Sequence, residues 1–343
     1  MPPTDISGIR NILVIKLRAI GDVVVSTIVT KNLRNAFPQA RIRYLTEPAS
    51  HEVVKNNPWL NGALVYDRRT MSGPGLIRMV RKEKFDCVID LFGNPRTALV
   101  TRLSGARVRV GYRFRGRTYA YNVIAEPRGS QVHNAQFNLD AIEALGIEIQ
   151  DRNIYFAPSP DDMRAVDRFL GSAQGRDRPL VCLNPGGGWY TKRWGTDRFA
   201  ALADRLSEEC GVRIVIAWGP GEQEDAAKLQ SLMKHPAFIP PPTTLGELGA
   251  MLKRCTMLVT NDSGPMHIAA AVGTPILGIY GPTNPVLQGP YGVKHAIVRN
   301  EALTCLGCNY VECPIGHPCM LALSVDQVMT GARELLTSIQ TPA

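Results

Sequence analysis

Two apolar patterns take turns along this chain: short runs that are apolar almost throughout, and longer stretches whose apolar residues recur at helical spacing. NILVIKL (11–17) is of the first kind, the mark of a strand buried on both faces. Positions 22–37 are of the second kind, and the pattern stops at the Phe37-Pro38 step, where a helix cannot continue. RIRYLTE (41–47), ALVYD (63–67), DCVIDLF (86–92) and VRVGY (108–112) read as further strands, and 50–56, 75–83 and 134–145 as helices, the last closed by Gly146. Such alternation predicts an open parallel sheet wrapped by helices.

The alternation restarts after Pro158. Helical patterns cover 158–172, 197–210, 222–233, 244–254, 265–272 and 324–339, and strands cover LVCLNPG (180–186), RIVIAWG (213–219), MLVTND (257–262) and PILGIY (275–280). The polar, glycine-containing stretch 171–179 reads as a hinge. The pattern therefore predicts two α/β domains, 1–172 and 173–343, each a doubly wound Rossmann-like sheet. The final helix, 324–339, is a candidate to pack back on the first domain. In two such domains the carboxyl ends of the strands are expected to converge on a central cleft.

At 343 residues and 45% hydrophobic content the composition is that of a globular protein, and no apolar run approaches the roughly 18 residues of a membrane span. The apolar run after Asn11 is four residues long and reads as a first strand rather than a signal peptide, which predicts a cytoplasmic location. The net charge of +9 is unevenly spread: residues 1–150 hold 22 Lys and Arg against 12 Asp and Glu (+10), and residues 151–343 hold 17 against 18 (−1). Part of the excess is the run Arg107, Arg109, Arg113, Arg115 and Arg117. A solubilising surface would account for it; so would an anionic partner, namely a phosphorylated glycolipid or an anionic membrane surface. No nucleic-acid-binding signature accompanies the arginines, so no nucleic-acid partner is expected.

Four loops carry candidate chemistry. In TNDSGPMHIAAAVGTPILGIYG (260–281) an Asp-Ser-Gly turn opens onto a helix that Gly273 closes. Its free N–H groups and dipole suit an anion such as phosphate. Asp262 and Ser263 are positioned to cap that helix, with Gly264 at the turn and His267 one turn in; an ordinary capped helix is the plainer alternative. In RAIGD (18–22), Asp22 stands at a helix start after the first strand, either as an N-cap or as a general base, with Lys16 and Arg18 nearby for an anionic acceptor. NPGGGWYTKRW (184–194) brings Gly187 and Gly188, which allow close backbone approach, together with Thr191, Lys192 and Arg193, a set suited to a diphosphate. It is not a phosphate-binding loop of the GxxxxGK[ST] type. In AWGPGEQED (217–225), Glu222 or Glu224 suits a ribose or base, or is a solvated helix start. Finally, Cys305, Cys308, Cys313 and Cys319 crowd together with His317; a structural zinc site or reduced thiols packing a loop both fit, and a disulfide fits less well in a reducing compartment.

Taken in this order, ILVIKLRAIGDVVVST, DCVIDLFGNPRT (86–97), His133, NPGGGWYTKRW and VTNDSGPMHIAAAVGTPILGIYGPTNP resemble glycosyltransferase family 9, the bacterial lipopolysaccharide heptosyltransferases, over almost the whole chain. The resemblance implies a GT-B fold and an inverting transfer that needs no catalytic metal. It implies Asp22 as the base that deprotonates the acceptor hydroxyl. Gly187, Gly188, Thr191, Lys192, Glu222, Asp262, Ser263, Gly264 and His267 would be donor contacts, the donor being ADP-L-glycero-β-D-manno-heptose. Asp90, Gly93 and Arg96 fall where an acceptor-side loop is expected. Lys16, Arg18, Arg96, Arg113 and Arg115 are then candidate contacts to a phosphorylated or Kdo-bearing lipid acceptor of the lipopolysaccharide inner core. The resemblance also implies a monomer associated peripherally with the cytoplasmic face of the anionic inner membrane. Two other readings stay open on the residues alone: a sugar-nucleotide epimerase or hydrolase on the same fold, and a non-catalytic module that binds anionic lipid.

Overall fold

The computed structural model describes residues 5–171 and 177–340. The chain divides into two compact units between Phe156 and Ala157. The first carries six parallel strands: β1 (Asn11–Ile15), β2 (Arg41–Thr46), β3 (Ala63–Val65), β4 (Cys87–Asp90), β5 (Val108–Tyr112) and β6 (Val123–Ala125), in the order β3-β2-β1-β4-β5-β6. The second carries β7 (Leu180–Asn184), β8 (Arg213–Ile216), β9 (Ala237–Phe238), β10 (Met257–Asn261), β11 (Ile276–Ile279) and β12 (His295–Val298), again all parallel, in the order β12-β11-β10-β7-β8-β9. Read from its far edge, the second sheet has the same strand order as the first. Both are Rossmann orders, and in both the direction of winding reverses between two central strands: β1 and β4 in one unit, β7 and β10 in the other.

The central strands are apolar throughout because both faces are covered. Ile12, Leu13, Val14 and Ile15 of β1 and Leu258 and Val259 of β10 have no exposed surface. In the first unit Leu13, Ile15, Leu45 and Val88 pack with Leu76, Val80 and Val100 from two flanking helices. In the second, Val181, Leu183 and Val259 pack with Trp194, Phe199 and the final helix, Val325–Gln340. Trp194 stands edge-on to Phe199 at 5.2 Å, and its indole N–H reaches the Leu323 carbonyl at 2.9 Å, the partner a fully buried tryptophan requires.

The structure departs from the sequence expectations at several points. The expected 172/173 boundary and most of the 171–179 hinge fall on residues 172–176, outside the described residues. The division lies earlier because helix Pro160–Gly171 packs on helix Leu245–Arg254 of the second unit. The final helix contributes Val328, Met329, Ala332, Leu335 and Leu336 to the core of its own unit, beside β11, β12 and helix Thr196–Cys210. The single helix expected over 22–37 is two, Ile20–Ser26 and Ile28–Ala36. Between them the hydroxyls of Ser26, Thr27 and Thr30 each bond back to a carbonyl three residues earlier, and the Tyr155 N–H reaches the Thr27 hydroxyl at 2.7 Å. Such side-chain back-bonding bends helices. Strands β6, β9 and β12 escaped the reading because edge strands this short give almost no periodic signal. Helix Pro95–Leu103 also escaped it, although Asn94 followed by Pro95 is a legible helix start: the Asn94 side chain accepts from Thr97 N–H at 2.8 Å.

One packing contact gives a sharp test. Gly111 of β5 lies under the Tyr121 ring, which an added methyl would strike, and the ring cannot retreat because its hydroxyl is bonded to buried Asp90 at 2.8 Å. Gly111→Ala is expected to cost about 1–3 kcal/mol in urea denaturation through overpacking; an unchanged midpoint would show that the ring moves freely.

Candidate active site

In each unit the chemistry gathers at the carboxyl ends of the two strands that flank the winding reversal. In the first unit these ends are the loops after β1 and β4. Asp22 is the third residue of helix Ile20–Ser26 rather than its cap. The cap position is Ala19, and the half-buried Asp22 carboxylate accepts from the Ala19 N–H at 3.1 Å. That bond fixes the carboxylate while leaving its other oxygen uncommitted to the cap.

Asp90 ends β4, opposite Ile15 of β1, with no exposed surface. Its Oδ1 accepts from the N–H groups of Phe92 at 3.1 Å and Gly93 at 2.9 Å, and its Oδ2 from the Tyr121 hydroxyl at 2.8 Å. Burial raises the Asp90 pKa, opposed by these hydrogen bonds. Gly93 takes a left-handed conformation, φ +62°, and a Cβ there would meet the Phe114 ring at 2.9 Å, so the turn is built on glycine. Lys16, just past β1, donates to the Leu91 carbonyl at 3.1 Å and lies 5.8 Å from the Phe92 ring centroid. Desolvation lowers its pKa, and the charges of Asp22 and Asp90 oppose the fall. Lys16 thus ties the loop after β4 to the loop that carries Asp22.

In the second unit the corresponding loops follow β7 and β10. Both strands end in a buried asparagine, Asn184 and Asn261. The Asn184 amide donates to the hydroxyls of Thr260 at 2.9 Å and Ser263 at 2.8 Å. The Asn261 amide donates to the carbonyls of Pro185 at 2.8 Å and Gly186 at 3.0 Å, pinning the start of the glycine loop to β10. Ser263 occupies the cap position of helix Gly264–Val272, yet its hydroxyl is engaged with Asn184 and makes no cap bond. Asp262 does not cap either: its carboxylate pairs with Lys192 at 2.7 Å, with 6% of the Asp262 side chain and 14% of the Lys192 side chain exposed. The expected capping by these two residues is therefore replaced by cross-loop bonds, and the first N–H groups of the helix receive no side-chain cap. Lys192 also stands 4.3 Å from the Trp189 ring centroid. An uncapped helix start beside a half-buried lysine is an anion-receptive arrangement. Glu222, at the start of helix Gln223–Leu232, accepts from Gly219 N–H at 2.9 Å and faces Gly186. It lines a cavity of about 380 Å³ with Trp218, Tyr190, Arg193 and His317.

A family model for glycosyltransferase family 9 (heptosyltransferase) matches residues 75–318. This chain belongs to glycosyltransferase family 9. The lipopolysaccharide heptosyltransferase 3 of Escherichia coli strain K12 is 26% identical to it over 293 residues, 80% of this chain and 83% of that protein. Among solved structures, the family 9 glycosyltransferase from Veillonella parvula superposes with a TM-score of 0.85 at 26% identity, over 96% of this chain and 97% of that one. The E. coli heptosyltransferase WaaC with ADP superposes with a TM-score of 0.72 at 19% identity, over 94% and 97%. The chain is thus a glycosyltransferase with the GT-B fold, which leaves the non-catalytic module without support.

Several expected roles look different once the family 9 protein is seen in three dimensions. The Thr191 hydroxyl donates to the Tyr310 carbonyl at 2.9 Å, so it anchors the cysteine-bearing loop. Arg193 turns to the Gly187 carbonyl, Asp225 and Glu222. His267 is buried in its helix. Arg113 is paired with Glu126 at 2.6 Å, while Arg18, Arg96 and Arg115 are exposed. Of the arginine run, Arg107 and Arg109 bond backbone carbonyls, and Arg117 holds the Gly93 carbonyl at 2.7 Å. Most of that run therefore serves the fold. Cys305, Cys308, Cys313 and Cys319 are all free thiols, ranging from exposed to buried. Among the described residues no group of three or more His, Cys, Asp or Glu is arranged to hold a metal ion. Burial, reinforced by the neighbouring Cys308, Cys305 and Cys313, pushes the Cys319 thiol up.

Asn184, Asn261 and Tyr121 went unrecognised in the sequence. The signal was available for the first two: an asparagine at the last position of an otherwise apolar strand has no reason to be buried unless it organises the loop that follows.

The raised pKa of Asp90 sets a pH dependence. Its protonated form is favoured by folding, so its contribution to stability is complete below the ordinary carboxylate value, about pH 4, and is lost as pH rises through the higher folded value. Asp90→Asn keeps an acceptor for Phe92 and Gly93. It is expected to lose less stability than the wild type between pH 4 and pH 8 in urea denaturation; parallel curves would refute the assignment.

Proposed function

We propose that this family 9 enzyme transfers heptose from ADP-L-glycero-β-D-manno-heptose to a hydroxyl of the lipopolysaccharide inner core, with inversion at the anomeric carbon. The observation that carries the reading is the pair of prepared edges: a fixed carboxylate, Asp22, in one unit, and an uncapped helix start with half-buried Lys192 in the other. The relatives' names support the chemistry: the E. coli protein at 26% identity is a lipopolysaccharide heptosyltransferase, and the WaaC structure holds ADP.

Asp22 takes the proton of the acceptor hydroxyl as its oxygen attacks the anomeric carbon from the face opposite the diphosphate. The bond from that carbon to the diphosphate oxygen breaks, and ADP departs with the electron pair. Lys192 and the N–H groups at the start of helix Gly264–Val272 neutralise the charge that develops on the leaving phosphate. Lys192 meets the diphosphate by exchanging its bond to Asp262. Gly187 and Gly188 admit the diphosphate close to the backbone, and Glu222 accepts from the ribose hydroxyls. On the acceptor side Arg18 and Arg96 are exposed and suited to phosphate or Kdo carboxylate, with Lys16 holding the loop behind them.

The test is ADP release from ADP-heptose with and without a heptose-deficient lipopolysaccharide acceptor. Wild-type release should require acceptor. Asp22→Ala should lower kcat by about 10²–10⁴-fold with unchanged circular dichroism. Full activity in that variant would remove Asp22 as the base, and release without acceptor would indicate a hydrolase or epimerase instead. Lys192→Met should lower kcat by about 10²–10³-fold, the usual loss when a charge-stabilising donor is removed.

A further inference from the structure

We infer that helices Gly73–Lys82 and Pro95–Leu103 of the first unit form a docking face for an anionic phospholipid bilayer. This deepens the reading of a lipid-linked acceptor but is carried by a different set of residues from the transfer site. Neither helix contains an Asp or Glu, whereas together they carry Arg78, Arg81, Lys82, Arg96 and Arg102, all exposed. Among the described residues none of Arg78, Arg81, Lys82 or Arg102 takes part in an ion pair, unlike Arg113, Arg41 or Arg43 elsewhere in the unit. Burial lowers the Arg109 pKa, and the charge of nearby Arg102 lowers it further.

The helices lie side by side, their inner faces sharing the core through Leu76, Val80 and Val100. Their outer faces are not uniformly polar. Leu99 is 44% exposed and Leu103 38%, one turn apart on the second helix, and Tyr119, on the short turn packed against it, is 56% exposed. On the first helix Pro74, Ile77, Arg78, Arg81 and Lys82 border a shallow open groove. A surface serving only solubility would mix signs and cover its leucines. Unpaired cations around exposed leucines and a tyrosine supply instead the two attractions that hold a protein at a membrane: charge toward acidic headgroups, and apolar side chains that enter the interface.

The placement agrees with the chemistry. Both helices follow strands of a parallel sheet, so both begin at its carboxyl edge. Arg96, in the first turn of the second helix, and Asp90, at the end of β4, share that edge. A bilayer lying along the two helices would present a membrane-anchored acceptor beside it.

The experiment is co-sedimentation of the full chain with vesicles of phosphatidylcholine alone or mixed with phosphatidylglycerol, at low and high salt, without sugar nucleotide. Wild type should sediment only with the anionic vesicles, less so at high salt. Arg78→Glu, Arg81→Glu, Lys82→Glu and Arg102→Glu combined should reduce partitioning at least about tenfold, and Leu99→Ser with Leu103→Ser severalfold. Lys228→Glu with Lys253→Glu in the second unit should leave it unchanged. Both first-unit variants should keep wild-type ADP release with a delipidated soluble acceptor, which shows that they fold. Undiminished vesicle binding by the fourfold variant, no binding by wild type, or an equal loss in the second-unit control would overturn the assignment. So would a change in sedimentation velocity of the fourfold variant in the absence of vesicles, which would make the face a contact between copies of the chain. Vesicle binding by an enzyme inert in transfer would leave this face standing while the transfer reading fell.

Discussion

The constraint on which this molecule depends is the reversal of winding direction inside each parallel sheet. Where β1 meets β4, and again where β7 meets β10, the connections leave neighbouring strands toward opposite faces. The connections therefore part at that point, and the loops after the two strands fill the space between them. Lys16, Asp22 and Asp90 occupy this position in the first unit, and Asn184, Lys192, Asn261 and Asp262 in the second. The same topological fact, met twice, makes both edges.

What stabilises these edges is the pairing of polar groups that the sheet would otherwise strand in a low-dielectric place. A buried donor or acceptor without a partner costs about 1–3 kcal/mol. Asp90 answers with two backbone N–H groups and a tyrosine hydroxyl, Lys16 with the Leu91 carbonyl, and the two asparagines with hydroxyls and carbonyls across the loops. The consequence is rigidity. The glycine loop and the turn before helix Gly264–Val272 are fastened to each other through Asn261 and Asn184, and the loops after β1 and β4 through Lys16. Fixed dipoles and charges need no rearrangement when charge develops on a ligand.

The excess positive charge of the first unit proves to be two populations. Arg107, Arg109 and Arg117 have their guanidinium groups turned to backbone carbonyls and Arg113 to Glu126, so the densest run in the sequence is mostly structural. The cations of helices Gly73–Lys82 and Pro95–Leu103 are less conspicuous in the sequence, because they are separated by apolar residues facing the core, yet among the described residues Arg78, Arg81, Lys82 and Arg102 have no ion pair. Counting charge along a chain does not distinguish these two populations; only the partners do.

The sequence by itself determined the class of the fold, the alternation into two parallel-sheet units, the approximate positions of β1, β4, β7 and β10, and the loops in which the chemistry lies. It could do so because strand and helix periods, helix-stopping prolines and glycine turns are local properties. The tertiary structure alone decided what each loop residue does. Asp22 was legible as a residue at a helix start, but its bond to Ala19 N–H depends on where the helix begins. Asp262 and Ser263 had the residue types of caps, and only the approach of Lys192 from the loop after β7 and of Asn184 from the end of β7 diverts them. The spacing of the four cysteines fits a zinc loop or packed thiols alike, and how far each thiol is buried is decided by the fold. In each case the deciding partner is distant in sequence, and a hydrogen bond or ion pair across such a separation leaves no periodic trace in the chain.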